Sequence, residues 1–178
     1  MDYTSATADT YPYCRHAGDM VVLQEPNPGL YETYKMEVMS MQFETLLVDK
    51  MDGVAVITLN RPKKLNAVSL EMRLELLDLL DSLVVDDEIR VVIVRGAGRA
   101  FCAGADISEF QKETAESKEK QIRTKDMVKQ IYEFEKPIIG AINGVSAGDG
   151  SQWLLAFDLN VASEHARLAW PATRLGIL

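Results

Sequence analysis

The chain has 178 residues, 47% of them hydrophobic, with 19 basic against 27 acidic side chains and a net charge of −8. That is enough apolar material for one sizeable core, with a single domain as the default. The acid excess excludes nucleic-acid binding through a broad basic face, but an anionic cofactor needs only a local cluster.

Two cysteines, Cys14 and Cys102, show neither ligand spacing nor a disulfide framework, which fits a reducing compartment. Only His16 and His165 are available, and no acidic metal cluster appears, so metal catalysis has no support. The N-terminus carries Asp2 and Asp9 before its first basic residue, Arg15, unlike a signal or transit peptide. No apolar run approaches the roughly 18–20 residues that span a bilayer. A cytoplasmic protein without a membrane partner is expected.

Residues 1–40 are polar and broken by Pro12, Pro26, Pro28 and Gly29. They read as an N-terminal extension, either a loosely ordered arm or, through Val21-Val22-Leu23, an edge strand. An upstream start codon is another origin for them. From Phe43 the pattern changes. Phe43–Asp49 and Val54–Asn60 are strand-like runs joined at Met51-Asp52-Gly53, a hairpin signal. Pro62, without an N–H, ends the second strand. Ser69 is a good N-cap for a helix of roughly four turns. Leu70, Leu74, Leu77, Leu80 and Leu83 form its apolar stripe, with Glu71, Arg73, Glu75, Asp78 and Asp81 on the wet side.

A buried strand, Arg90–Arg95, then meets the Gly-Ala loop RGAGRAFCAGADISEF at 95–110, with helix-like sequence opening at Asp106. Residues 113–135 are charged and helix-compatible, with Ile122, Met127, Ile131 and Phe134 as a thin stripe. Strand Ile138–Ile142 leads to a second such loop, Ile142–Gly150, then a helix to about Phe157 and a strand Leu159–Ala162. Strand–helix alternation predicts an α/β fold with right-handed crossovers. If strands 54–60, 90–95 and 138–142 run parallel, both loops and the Arg61, Lys63, Lys64 cluster meet at one sheet edge. That cluster reads either as a solvated turn or as an anion site. Loops this poor in side chains let backbone N–H groups approach a ligand, and two of them give the general design of a two-donor oxyanion site. A dinucleotide fingerprint competes at Gly96-Ala97-Gly98, but Phe101 stands where its third glycine belongs.

LNRPKKLNAVS at 59–69, AFCAGADI at 100–107 and KPIIGAINGVSAGDG at 136–150, continued by DLNVASEHARLAWPATRLGIL at 158–178, resemble the crotonase (enoyl-CoA hydratase/isomerase) superfamily. The resemblance covers about Met41 to Leu178. It implies a crotonase-like ββα spiral truncated at the C-terminus, in which residues 41–178 form an incomplete acyl-CoA-binding domain. It also implies an acyl-CoA thioester ligand, no cofactor beyond the CoA moiety, and a homo-oligomer of the trimer type or a partner chain. Cys102 becomes a small packing residue instead of a nucleophile, and residues 113–135 gain a second role as a flap beside the acyl pocket.

Residue by residue, the resemblance assigns the oxyanion donors to the backbone N–H groups of Ala105 and Asp149. It assigns CoA contacts to Arg61, Lys63, Lys64, Ala67, Ala103, Ala105, Asp106 and Ile107. The family has Gly or Ala where this chain has Asp149, whose side chain is expected as an N-cap or first-turn group turned onto backbone N–H groups. Hydratases of the family use two glutamates to activate water and deliver its proton. Gln152 and Ala172 stand at those positions, and neither exchanges a proton at neutral pH. Glu109 and Glu164 are the nearest acidic substitutes and read first as surface residues. Three readings follow: an acyl-CoA enzyme with non-standard chemistry, a CoA-ester-binding module without catalysis, or a structural partner in an oligomer.

Overall fold

A computed structural model of the chain describes residues 15–17, 20–22, 43–109 and 127–171. The chain divides into two units, Met1–Ser40 and Met41–Leu178. In the first, β1 (Arg15–Ala17) and β2 (Met20–Val22) pair antiparallel as a two-stranded sheet. Val21 and Val22 are thus strand residues of a small local hairpin.

The second unit begins with β3 (Leu46–Met51) and β4 (Val54–Leu59), antiparallel in the register Met51↔Val54. The two residues between them, Asp52 and Gly53, both have positive φ, 52° and 84°. That is the primed turn whose twist matches a two-residue hairpin. The first long helix, α1 (Leu70–Val84), starts at Ser69, whose Oγ accepts from the Met72 N–H at 3.1 Å. Then follow β5 (Val91–Gly96), β6 (Ala100–Cys102) and the short α2 (Met127–Tyr132). Next come β7 (Ile138–Ile142), β8 (Val145–Ala147) and α3 (Asp149–Ala156), and the described part closes with β9 (Leu159–Ala162) and β10 (Arg167–Ala169).

Five strands form the main sheet in the order β3-β4-β5-β7-β9, parallel except at the β3/β4 hairpin. Side chains alternate across it. Ala55, Ile57 and Leu59 of β4, Val92 and Val94 of β5, and Ile138 and Ile142 of β7 are all buried in one core with Met72, Leu76, Leu79 and Leu83 of α1. Each of the larger of these side chains contributes about 1.5–3 kcal/mol by leaving water. Helix α1 departs from the expected stripe. Met72, Leu76 and Leu79 are buried along with Leu77, Leu80 and Leu83, while Leu70 and Leu74 are only half-buried. The helix packs against α2 and β3 as well as facing the core, so its apolar surface is wider than a single stripe. Glu75 is correspondingly no free surface charge. Its carboxylate accepts from the backbone N–H groups of Glu44 (2.7 Å) and Thr45 (3.0 Å) and from the Thr45 hydroxyl, tying α1 to the start of β3.

A second sheet of three parallel strands, in the order β10-β8-β6, lies within what reads in the sequence as loop. In place of a helix opening at Asp106, the structure has a 3₁₀ turn, Ile107–Glu109. Of the charged 113–135 segment, Met127–Tyr132 is helical and residues 113–126 lie outside the described part. Among the described residues no helix is long and apolar enough to cross a membrane, and no cluster of His, Cys, Asp and Glu could hold a metal ion.

Candidate functional site

The parallel pairing of β4, β5 and β7 places their C-terminal ends on one edge, and three segments leave from there. In the first, Pro62–Lys64 makes a 3₁₀ turn and the chain then passes through Leu65 and Asn66, both left-handed at φ 52° and 57°. Asn is one of the few side chains that tolerates this conformation. Here its amide also does the tying. Asn66 is fully buried, and its Nδ2 donates to the carbonyls of Ala97 (2.9 Å), Ala100 (2.9 Å) and Phe101 (3.2 Å). Its Oδ1 accepts from the Arg61 N–H at 2.9 Å. The first segment is thereby pinned to the Gly-Ala loop.

Arg61 reinforces the junction. Its guanidinium donates to the Ala67 carbonyl at 2.5 Å and to Asp106 Oδ2 at 2.9 Å. Lys63 and Lys64, by contrast, are exposed. Asp106 is 7% exposed, and its carboxyl is held down to about 2 from an ordinary 3.8. The hydrogen bond from Ser108 is the main cause, and Arg61 adds to it against the opposing effect of burial. A carboxyl with a depressed folded value stabilises the fold above its unfolded value and loses that contribution as pH falls. Between pH 4 and pH 2 the chain should therefore lose up to about 2 kcal/mol through this group, at 1.4 kcal/mol per unit. Urea midpoints across that range, compared with those of Asp106→Asn, check it: the variant's profile should be flatter there.

The second segment, the Gly-Ala loop after β5, is clasped from both sides by Val68 of the first. The Val68 N–H donates to the Gly104 carbonyl (2.8 Å) and its carbonyl accepts from the Asp106 N–H (2.9 Å). This is a parallel bridge between Val68 and Ala105. In such a bridge the flanking residues make the bonds, so Ala105's own N–H and C=O turn the other way. Gly104 has φ 96°, and a Cβ built there would lie 2.9 Å from the Ala147 carbonyl oxygen and 3.5 Å from Gly148 Cα. The two glycine loops therefore abut, and only a residue without a side chain fits between them. Gly148, at φ 50°, anchors the third segment through its N–H to the Ala169 carbonyl at 3.1 Å. Helix α3 starts at the next residue, Asp149, and the first N–H groups of a helix have no partner within it. Ala105 and Asp149 follow directly on the two glycines in contact.

Beneath them lies Cys102, fully buried. A Cβ on Gly150 would come within 2.9 Å of its Sγ. Burial pushes the thiol up to about 12, although the amides of Gly104 and Gly150 and the Arg73 charge act against it. A thiol in that state is no nucleophile at neutral pH. In a Cys14→Ser background, iodoacetamide at pH 8 should label the native chain at least 100-fold more slowly than the chain unfolded in urea. Equal rates would show that Cys102 is open to solvent.

Asp149 is in the first turn of α3, as expected, but its carboxylate does not cap backbone amides. It pairs with Arg73 of α1, Nη2 to Oδ2 at 2.6 Å, both side chains 28% exposed. The guanidinium thus sets a cation directly against the carboxylate. Gln152 lies three residues on, hence on the same side of α3, and is exposed. Among the other expected contacts, the Ala103 N–H bonds the Leu65 carbonyl at 3.0 Å, the Ala67 N–H bonds the Lys64 carbonyl at 3.0 Å, and Ile107 is 77% exposed in its 3₁₀ turn. Ala172 lies outside the described residues. Glu164 is exposed beside His165, away from these contacts by its partners. The residues after Gly98 form β6 and not a helix, so the dinucleotide fingerprint lacks the helix it needs.

The sequence places Arg73 only among the wet-side charges of α1 and gives Asn66 no separate role. For Asn66 a signal exists in hindsight, an Asn two residues past a Pro-initiated turn. Arg73 offers none, since a basic residue in the first turns of an amphipathic helix looks like any solvated charge.

Residues 49–178 match the profile of the family described as enoyl-CoA hydratase/isomerase. Among curated proteins, the chain is 36% identical over 139 residues to a short-chain-enoyl-CoA hydratase of Clostridium acetobutylicum, covering 77% of this chain and 53% of that protein. It is 34% identical over 143 residues to a 1,2-epoxyphenylacetyl-CoA isomerase of Escherichia coli, covering 78% and 54%. Among solved structures, an enoyl-CoA hydratase from Bacillus anthracis superposes with a TM-score of 0.69 at 34% identity, over 76% of this chain and 54% of that one. The chain spans about half the length of these relatives.

Proposed function

The chain belongs to the enoyl-CoA hydratase/isomerase family, and from that membership we propose that it binds an acyl-CoA thioester with the thioester carbonyl between the N–H groups of Ala105 and Asp149. The contact of Gly104 with Ala147 and Gly148 supports this most, because it is the point from which both donors start. In comparable sites each such donor contributes on the order of 3 kcal/mol to a developing oxyanion. Lys63 and Lys64 are the exposed cations for the nucleotide end. Arg61 serves there by holding the turn and Asp106 in place, its guanidinium being engaged.

Enolate stabilisation is the chemistry these groups can supply. Gln152 donates and accepts hydrogen bonds but does not move a proton, and Ala172 has only a methyl group. The reading is therefore an acyl-CoA protein that is not an ordinary hydratase, working by isomerisation-like chemistry or by binding alone. A second reading, partnership in an oligomer, draws on the exposure of Leu155, Leu159, Val161, Leu168 and Trp170.

Calorimetric titration of crotonyl-CoA tests the main reading. Binding heat is expected with the unaltered chain, and Ala105→Pro, which removes one donor, should weaken binding at least tenfold. Equal affinity in both, or no heat in either, would sink it.

A further inference from the structure

We propose that Arg73 is a positioning residue of the Ala105/Asp149 site, holding the Asp149 carboxylate away from the bound thioester oxygen and balancing its charge. The inference rests on the thioester reading above. Asp149 brings a carboxylate to the residue whose own N–H would face the ligand oxygen, and a free carboxylate there would repel the charge that the amides attract. The 2.6 Å contact with Arg73 Nη2 fixes one carboxylate oxygen and places the cation beside it.

The guanidinium is well placed to do this because its backbone belongs to the same scaffold as the other donor. The Arg73 N–H bonds the Ser69 carbonyl at 3.1 Å, Ser69 caps α1, and the adjacent Val68 makes both hydrogen bonds to the Ala105 loop. The ion pair thus bridges the segment bearing one amide to the helix bearing the other. Cys102, between the two loops, feels both partners, with Asp149 raising its thiol and Arg73 lowering it. Gly150, next to Asp149 in the chain, packs against Cys102, so the ion pair borders the loop contact. Gly or Ala at position 149 would need no such partner.

The test compares crotonyl-CoA with free CoA on the full chain. Arg73→Ala should weaken crotonyl-CoA at least tenfold while CoA changes less than threefold, because only the thioester carbonyl meets the exposed carboxylate. Arg73→Lys should recover most of the loss. In the double variant Arg73→Ala/Asp149→Gly, crotonyl-CoA affinity should return to within about threefold of the unaltered chain. Equal weakening of both ligands, or a double variant as weak as Arg73→Ala, would overturn the proposal in favour of a structural role. If Arg73→Ala does not fold, Arg73→Gln decides on the same two ligands: crotonyl-CoA should weaken at least tenfold with CoA changed less than threefold, and equal weakening of both would overturn the proposal. Ala105→Pro separates the two levels. Loss of crotonyl-CoA binding there with no effect of Arg73→Ala sinks only this inference, whereas insensitivity to Ala105→Pro sinks the site itself.

Discussion

Crotonyl-CoA incubated with this chain is expected to hydrate at least 10²–10⁴-fold more slowly than with a relative that has both carboxylates in place, the range that general acid–base groups typically contribute. Two amides can stabilise an enolate, but hydration also requires water to be deprotonated and a proton to reach carbon. Gln152, exposed on α3, cannot do either, and the carboxylate of Asp149 in the first turn of that helix is engaged with Arg73. Following the loss of enoyl absorbance against enzyme concentration measures the rate. Gln152→Glu combined with Ala172→Glu should raise any trace activity. Fast hydration by the unaltered chain, insensitive to Asp149→Asn, would show that the assignment of positions is wrong.

Asn66→Ala is expected to cost about 4 kcal/mol of folding stability, a large share of the 5–15 kcal/mol that a domain has in total. Three carbonyls, two of them in buried bonds, and the Arg61 N–H lose their shared partner, each buried unsatisfied group costing about 1–3 kcal/mol before relaxation. A left-handed Ala adds about 1 kcal/mol more. Asn66→Gly removes only the side-chain part, so it should be milder by that backbone amount. Urea unfolding followed by the fluorescence of buried Trp153 gives both numbers. A cost below 1 kcal/mol for Asn66→Ala would mean that the turn is held by other contacts.

The main sheet was legible because its signals are local. The β3/β4 hairpin announces itself through Asp52-Gly53, and the apolar runs of β5 and β7 match the observed strands to within a residue or two at either end. The second sheet was not. Strands β6, β8 and β10 have three residues each, too few to show a period, and they are strands only because distant segments pair with them. Ser69 marks the start of α1, but a helix covered by several neighbours does not display one clean stripe, so its buried face is wider than the leucine spacing indicates.

At the site, the glycine loops could be read from composition, and their approach followed from parallel strands ending on one edge. The partners of individual charges could not. Arg61 reads as part of a solvated or anion-binding cluster and is found on Asp106. Asp149 read as a cap and is found on Arg73. Ion pairs between segments so far apart are set by tertiary geometry, and no pattern in the chain specifies them.

The three-stranded sheet has a kinetic corollary. Ala100 pairs with Val145, and Val145 with Arg167, so each rung closes a long stretch of chain and yields little until the crossovers between are in place. As the chain leaves the ribosome, β6 emerges with its apolar Phe101 and Cys102 well before β8 or α3 exists to cover them. The β3/β4 hairpin can form early, whereas the meeting of the two glycine loops belongs to the end of folding. Weakening the β6–β8 rungs should then hasten unfolding while leaving the refolding rate almost untouched.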